Sequence, residues 1–370
     1  MTNKAPKNRI IEEALRDVDE GLFAEIGPDH KFNRLRTTDR KRLARRAKLV
    51  AIRSIDISTG KAAAAKQYFD GLLDRVEGGI EGNCLVLHGR TGAGKTHIIK
   101  QLLKHPDLQQ EKTPEGLYRP LLKVTAPAPC TLRTLGLRIL RRLGYHPKKS
   151  LKENEVWDRV EANLAAQGVA ILVIDEMHNV LVGRNVDERR KIAMTLKSLM
   201  VSEENPMQIV IAGLTTLQDF VKRYSELHRR SHFVELLPMD AVKDEKKIKA
   251  FLTGLEKNLG IKTCGFTEHD MPHRFFLASR GLLGRMAWFA QEAATIAVSL
   301  DDSIVGKPYL AEAYKRPYAA SNKRNPFLIA NVRDFPMPKK GEEIDDDDET
   351  FLKGTKPKES TSNDADDNED

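Results

Sequence analysis

The chain has few cysteines and no long apolar run. Its three cysteines, Cys84, Cys130 and Cys264, are odd in number and widely spaced, so they indicate neither a disulfide framework nor a zinc cluster. No apolar run approaches the roughly 18 residues of a membrane span, and the polar, basic first eight residues precede no signal-peptide core. We therefore expect a soluble, cytoplasmic protein that does not contact a membrane.

Acidic residues are scarce in most of the chain and concentrated in its tail. Residues 341–370 carry a net charge of −10 and the whole chain carries +8, so residues 1–340 carry +18. A body this basic predicts a polyanionic partner, most simply nucleic acid. The acidic tail has too few apolar residues to order itself and is predicted to be disordered. Three roles are open for this tail: it competes with DNA for the basic surface, it binds a basic partner, or it only keeps the protein in solution.

One eight-residue stretch organises the rest of the chain. Residues 89–96 fit the pattern G-x-x-x-x-G-K-[ST], between an apolar run of strand length and a predicted helix. Glycines let the loop aim backbone N–H groups at an anion, and a helix N-terminus adds partial positive charge. This context predicts an ATP site, with Lys95 at the β and γ phosphates and the Thr96 hydroxyl on Mg²⁺. The predicted nucleotide contacts here are Gly89, Arg90, Thr91, Gly92, Ala93, Gly94, Lys95, Thr96 and His97.

A second apolar run ends in two acids. Residues 169–174 are all apolar, which is typical of a strand buried on both faces of a parallel sheet, and Asp175 and Glu176 follow. Ligands of open α/β sheets bind at the carboxyl ends of such strands. We predict that Asp175 acts on Mg²⁺ and that Glu176 orients the attacking water. His178, in the next loop, is either a nucleotide sensor or an ordinary polar loop residue.

Strands and helices alternate up to residue 238, which predicts a parallel five-stranded sheet flanked by helices. Residues 109–119 are polar and predicted to form a loop. The predicted strand at 208–213 runs into two threonines that would lie between the phosphate loop and the Asp175 strand. Thr215 is the candidate for contact with the γ phosphate, and Thr216 is the helix-cap alternative.

Arginines at two further places in the sequence are candidates for contact with a nucleotide. Arg229 and Arg230 precede the fifth predicted strand and are candidates for an arginine finger acting on a neighbouring subunit, although adjacent surface arginines are common. Beyond residue 238 the chain is predicted to be helical, with helices at 241–259, 268–279 and 283–300. Arg285 opens the last of these against the helix dipole, which suggests that it reaches back to the nucleotide.

Basic residues also crowd the segment ahead of the first strand. Residues 34–53 hold nine basic side chains and one acid, with few aromatics, which favours contact with a phosphate backbone over base stacking. A solvated basic face, or a surface for an acidic protein, is the alternative. The predicted DNA contacts are Arg40, Lys41, Arg42, Arg45, Arg46, Lys123 and Arg133.

In this order the motifs resemble those of an AAA+ ATPase, over residues 54–300. Within that class the chain is similar to the TniB and TnsC transposition ATPases. Three stretches carry the likeness, residues 173–181, 211–217 and 279–286. The basic lead-in at residues 34–53 and the segment 325–327 are similar too. The resemblance identifies Arg285 with the sensor 2 position and Thr215 with sensor 1. The family usually has threonine directly after the strand-ending glycine, whereas Leu214 intervenes here, so Thr216 stays open for the sensor 1 role.

The resemblance also implies a biological role. Proteins of this family form ATP-dependent rings or helical filaments on duplex DNA, and they link a target-selection protein of the TniQ type to the transposase. A helicase-loader or initiator-type AAA+ ATPase, and a non-hydrolysing ATP-gated scaffold, are the alternatives. The predicted domains are a basic extension (1–53), an ATP-binding domain (54–238), a helical lid (239–305), an extension that is a possible partner-binding segment (306–340) and the acidic tail (341–370).

Overall fold

The computed structural model describes residues 40–114, 116–147, 150–182, 185–318 and 322–335. The acidic tail and the basic residues ahead of Arg40 lie outside these ranges. By internal contacts the chain divides into two units. The first contains residues 40–68, 92–102 and 234–335, and the second contains residues 69–91 and 103–233.

The described strands and helices alternate as the sequence predicts. The strands are β1 (Cys84–Gly89), β2 (Glu111–Thr113), β3 (Gly116–Tyr118), β4 (Leu121–Thr125), β5 (Ile171–Asp175), β6 (Gln208–Gly213), β7 (Ser231–Leu236), β8 (Lys262–Thr263) and β9 (Ile304–Val305). The helices are α1 (Arg40–Arg53), α2 (Gly60–Glu77), α3 (Lys95–Leu102), α4 (Leu132–Arg142), α5 (Glu153–Ala166), α6 (Val186–Met200), α7 (Thr216–Arg223), α8 (Ser225–Arg229), α9 (Glu245–Asn258), α10 (Met271–Ser279), α11 (Leu283–Ser299) and α12 (Lys307–Tyr318).

A five-stranded sheet with the order β4-β5-β6-β1-β7 carries the fold. The pairs β4–β5, β5–β6 and β6–β1 are all parallel. Every residue of β1, β5 and β6 is buried, because helices cover both faces of a parallel sheet. The predicted parallel sheet is therefore confirmed, and the carboxyl ends of its three central strands meet at one edge.

The segment predicted as a polar loop at 109–119 is instead an antiparallel hairpin, β2–β3. Its turn is closed by the Thr113 hydroxyl, which donates to the Gly116 carbonyl at 3.1 Å. The Tyr118 ring lies directly against Gly168, where a Cβ atom would come within 2.4 Å of it. The hairpin escaped prediction because this anchoring contact is distant in sequence and the strands themselves are mostly polar.

Helices α4 to α8 pack their apolar faces on the sheet within the second unit. Thr131 and Thr134 form a capping box that fixes the start of α4. Gly136 admits Val156 of α5, since a Cβ atom at residue 136 would lie 2.7 Å from the Val156 Cγ1 atom. The Trp157 indole donates to the Leu132 carbonyl at 3.1 Å, so the α4–α5 pair is fixed by polar as well as apolar contacts.

The first unit has its own apolar core, built from α1 and α9 to α12. The segment after α12 is part of it, because the Phe327 ring packs on Phe275 at a centroid distance of 5.4 Å. Arg274, which is 5% exposed, pairs with Asp270 at 2.7 Å and donates to the Pro326 and Ile329 carbonyls. Within the described residues, no helix combines the length and apolar character needed to cross a bilayer.

Candidate nucleotide-binding site

The loop between β1 and α3 has the backbone that its glycines permit. Gly92 and Gly94 adopt φ values of +81° and +106°, a region that side-chain-bearing residues rarely occupy. A Cβ atom at Gly94 would meet nothing within 4 Å, so this side of the loop is open. Lys95 begins α3 and is only 7% exposed, which puts a cation at the N-terminus of that helix.

Arg285 lies against this loop within the first unit. A Cβ atom at Gly92 would come within 2.5 Å of the Arg285 Cγ atom. One at Gly284 would lie 2.4 Å from the Gly92 carbonyl oxygen and 2.8 Å from the Gly94 nitrogen. Two glycines therefore allow the first turn of α11, with Arg285, to approach the loop.

The acid pair at the end of β5 is held in an unusual backbone conformation. Asp175 is 4% exposed, and its Oδ1 atom accepts a hydrogen bond from the Glu176 N–H at 3.0 Å. Glu176 has φ of +56° and ψ of +32°, a left-handed conformation that costs a non-glycine residue about 1–3 kcal/mol. Its carboxylate remains 44% exposed. The pair therefore combines a buried carboxylate with a half-exposed one.

Two of the predicted DNA contacts have partners inside the second unit. The Lys123 ammonium on β4 lies 3.4 Å from the Asp175 Oδ2 atom, so it compensates the buried carboxylate. The Arg133 Nε atom donates to the Leu151 carbonyl at 3.1 Å. Lys123 therefore lies beside the acid pair at the sheet edge, because β4 neighbours β5 in the sheet.

Strand β6 lies between β5 and β1, as the sensor 1 prediction requires. Thr215 occupies the position before the first residue of α7, and its side chain makes no capping hydrogen bond. Thr216 is the first helical residue and is 7% exposed. The cap position thus belongs to Thr215, not to Thr216 as the sequence interpretation had it.

The two candidate finger residues differ in their surroundings. Arg229 is the last residue of α8 and is exposed. The Arg230 Nη2 atom lies 2.6 Å from the Glu81 Oε2 atom, and the Arg230 side chain is 16% exposed. An intrachain partner thus holds Arg230, whereas Arg229 faces solvent.

The basic segment forms helix α1. Arg40 and Lys41 lie in its first turn, and Arg42 is exposed. Arg45 and Arg46 are half-buried, and Arg45 donates to the Ser299 carbonyl at the end of α11. Part of the predicted DNA surface therefore has a structural role within the first unit.

A polar cluster beside His97 was not predicted. The Asp56 Oδ1 atom lies 3.2 Å from the His97 Nε2 atom, and Gln101, one turn further along α3, donates to the same carboxylate oxygen. The spacing of residues 97 and 101 puts them on one helix face, which is the only local signal. Asp56 approaches from a distant segment that the sequence could not bring there.

A family model described as "Bacterial TniB protein" matches residues 49–240. The chain belongs to the TniB family. The match encloses the phosphate loop, the acid pair and both finger candidates, so the predicted family is confirmed. No curated protein matches this TniB sequence.

Solved structures show which fold the TniB chain has. The Aeropyrum pernix ORC1 protein in complex with DNA is 17% identical, with a TM-score of 0.52, over 75% of this chain and 70% of that one. The Aeropyrum pernix ORC2 protein in ADPNP–ADP complexes is 14% identical, with a TM-score of 0.51, over 73% and 72%. Cdc6p from Pyrobaculum aerophilum is 13% identical, with a TM-score of 0.50, over 74% and 72%. These likenesses confirm the predicted AAA+ fold for this chain.

The residues of the TniB site fit a magnesium nucleotide. The space beside Gly94 is open, and Lys95 supplies positive charge at a helix N-terminus, where anions bind. Thr96 of the first unit has a hydroxyl and Asp175 of the second unit has a carboxylate, and each is a hard oxygen donor of the kind that Mg²⁺ prefers. Taken one at a time, these residues have the chemistry that binding of ATP and Mg²⁺ requires.

Proposed function

We propose that this protein is an ATP-hydrolysing, DNA-binding oligomer that regulates transposition. ATP bound between subunits stabilises the assembly on duplex DNA, and its hydrolysis releases the subunits. The observation that carries the proposal is that one family match encloses the phosphate loop, the buried and exposed acid pair, and an exposed arginine. An assembly of this kind would link a TniQ-type target-selection protein to a transposase.

Each site residue has a defined part in hydrolysis. Lys95 would place its charge at the β and γ phosphates, and Thr96 with Asp175 would hold Mg²⁺, which neutralises charge on the phosphates. Glu176, with its half-exposed carboxylate, would orient the attacking water. Arg285 would contribute positive charge from the first turn of α11, at the loop that it already contacts. Thr215, with Thr216 as the alternative, would sense the γ phosphate from the end of β6.

ATP control of assembly follows from a phosphate shared by two subunits. Arg229 is exposed at the end of α8 and would reach the γ phosphate of a neighbour as an arginine finger. Because that phosphate would then contact both chains, hydrolysis would remove a contact that only the assembled state makes. The sequence leaves both a ring and a helical filament open.

Duplex DNA is the proposed polyanion. Residues 1–340 carry +18, which would give salt-dependent affinity with little sequence preference. Exposed Arg42 on α1 is a candidate phosphate contact, and Arg40 and Lys41 remain candidates beside it. The structurally similar ORC1 protein was solved in complex with DNA, which supports this choice of partner. The TniQ-type protein and the transposase are proposed from family membership.

Negative-stain microscopy of the purified protein on duplex DNA tests the proposal. We expect DNA-coated oligomers with a non-hydrolysable ATP analogue and dispersed protein without it. Lys95→Ala should abolish both the coating and ATP turnover, and Lys112→Ala, an exposed lysine on the β2–β3 hairpin, is the matched control. Monomers under both conditions would refute assembly.

The alternatives predict different results. A helicase-loader or initiator-type ATPase shares the same site, and the genes beside this one separate the two, because an integrase-type transposase favours the transposition role. A non-hydrolysing scaffold predicts that Glu176→Gln changes neither ATP turnover nor release from DNA. Under the main proposal, that variant binds ATP and stays on DNA.

A further inference from the structure

His178 contacts the side chain that is proposed to orient the attacking water. Its Nε2 atom lies 3.4 Å from the Glu176 Oε2 atom. The two side chains differ in exposure, at 12% for His178 and 44% for Glu176. The left-handed backbone of Glu176 turns the chain sharply, so that the 3₁₀ helix Met177–Leu181 starts beside the carboxylate.

The loop that carries His178 is fixed on the β4 side. The Asn179 side-chain amide donates to the Ala126 carbonyl at 3.0 Å, and the Cys130 N–H donates to the Asn179 carbonyl at 3.2 Å. Met177 is fully buried beneath the loop. His178 therefore has little freedom to move away from Glu176.

On the β6 side, the loop contacts the end of the strand that leads to the sensor 1 candidates. A Cβ atom at Gly213 would lie 3.0 Å from the His178 nitrogen and 3.2 Å from its Nδ1 atom. The absence of a side chain at residue 213 leaves just enough room for the imidazole. His178 thus bridges the carboxylate of Glu176 and the end of β6, all within the second unit.

We infer that His178 is a positioning residue for Glu176. The imidazole Nε2–H donates to the carboxylate and holds it in the orientation that the attacking water requires. The distance of 3.4 Å fits this role, because catalytic hydrogen bonds are often long without substrate and shorten when substrate binds. A polar residue with no role beyond facing solvent in a loop would be exposed. The His178 side chain is only 12% exposed, and the loop that carries it is in contact with neighbouring segments on both sides. The inference rests on the proposed ATP hydrolysis.

The expected defect lies in turnover and not in nucleotide affinity. Without the imidazole, the half-exposed Glu176 carboxylate samples several rotamers, and few of them face the attacking water. Outer-shell partners of metal ligands typically contribute about 10–100-fold to activity, and we expect an effect of the same order for a partner of Glu176. We therefore expect His178→Leu, which keeps the bulk, to lower kcat by about tenfold or more while KM for ATP changes by less than about twofold.

Steady-state ATPase assays on His178→Leu and four further variants test this role. His178→Gln retains an N–H donor near the Nε2 position and should keep most of the wild-type kcat. His146→Leu replaces an exposed histidine in the same unit and should have no effect. The double variant His178→Leu/Glu176→Gln should be no slower than Glu176→Gln alone, because a residue that acts only through Glu176 adds nothing once that carboxylate is gone. Thermal melting and binding of a fluorescent ATP analogue verify that each variant is folded.

The outcomes separate this inference from the proposed function. Wild-type protein without ATP turnover on DNA would overturn both. If the wild type hydrolyses ATP and Glu176→Gln does not, then an unchanged kcat in His178→Leu overturns only the positioning role. An equal loss in the leucine and glutamine variants, or a further loss in the double variant, would likewise show that hydrogen bonding to Glu176 is not what His178 contributes.

Discussion

The two adjacent arginines at the end of α8 should give opposite results when each is replaced by alanine. Arg229→Ala removes an exposed guanidinium that has the accessibility a finger needs. Arginine fingers accelerate phosphoryl transfer by about 10³–10⁵-fold, so turnover by the assembled protein should fall by at least about 10³-fold, or about 4 kcal/mol of activation free energy. Binding of ATP to the isolated subunit should be unchanged, because the finger acts on a neighbour.

Arg230→Ala should affect stability instead. The Arg230 Nη2 atom lies 2.6 Å from Glu81 Oε2, but Glu81 is 59% exposed, so solvent screens the pair and its loss should cost about 1 kcal/mol or less. The backbone contact beside it is retained, since the Cys84 N–H donates to the Arg230 carbonyl at 2.8 Å. Denaturant unfolding and ATPase assays on the two variants separate these effects.

Mixing two inactive proteins provides the sharper test. Arg229→Ala retains Glu176, and Glu176→Gln retains Arg229, so a mixed interface can combine an intact site from one subunit with an intact finger from the next. In an equimolar mixture of randomly assembling subunits, about one quarter of head-to-tail interfaces have this composition, so about a quarter of the wild-type turnover should return. A mixture no more active than its separate components, or an Arg230→Ala protein as slow as Arg229→Ala, would refute the assignment.

Three further substitutions test the geometry of the site and of the first unit. Gly284→Ala forces a Cβ atom to within 2.4 Å of the Gly92 carbonyl, so it should weaken ATP binding by about tenfold or more in a fluorescence titration. The control Gly71→Ala has open space around residue 71 and should be neutral or stabilising. Lys123→Met leaves the buried Asp175 carboxylate without the Lys123 ammonium, so the nucleotide-free variant should be less stable than the wild type by about 2 kcal/mol in thermal unfolding. The control Lys112→Met, at an exposed lysine, should be as stable as the wild type. The hydrogen bond from Arg274 lowers the pKa of Asp270. The pair therefore stabilises the folded state at pH values above the ordinary aspartate pKa, and this stabilisation is lost as the pH falls through the lowered pKa. Unfolding free energies measured at pH 7 and near pH 3 should therefore differ less in Asp270→Asn than in the wild type.

The central strands could be predicted from sequence because their signal is local. Each is a continuous apolar run of strand length, and three such runs are fully buried in the structure. A helix start is harder to predict where a side chain accepts hydrogen bonds from the backbone N–H groups at that end. The predicted helix at 241–259 begins only at Glu245, because the Asp240 carboxylate accepts hydrogen bonds from the Val242 and Lys243 N–H groups and forms a turn there.

Contacts at the site could be predicted only as far as strand order determines them. The acid pair, the phosphate loop and the sensor 1 strand follow from motifs and from the sheet edge that they share. The side chains that pair with site residues could not be predicted, because each is distant in sequence from its partner. Asp56 meets His97 across 41 positions, and no periodicity relates the two segments. Lys123 has a basic side chain like many others in this chain, and its location beside Asp175 follows only from the parallel pairing of β4 and β5.

The left-handed conformation of Glu176 occurs in a different setting from those of Arg280 and Asp301. Arg280 follows α10 and Asp301 lies just beyond α11, and a left-handed residue is a common way to end a helix. Glu176 follows a buried strand, where neither its charge nor its Cβ atom favours that conformation. Glycine would adopt the same turn without strain, but it has no side chain that could orient a water molecule for attack on a phosphate. A strained acid beside a buried one is therefore what the proposed ATP hydrolysis predicts at this turn, whereas a non-hydrolysing scaffold gives no physical reason for it.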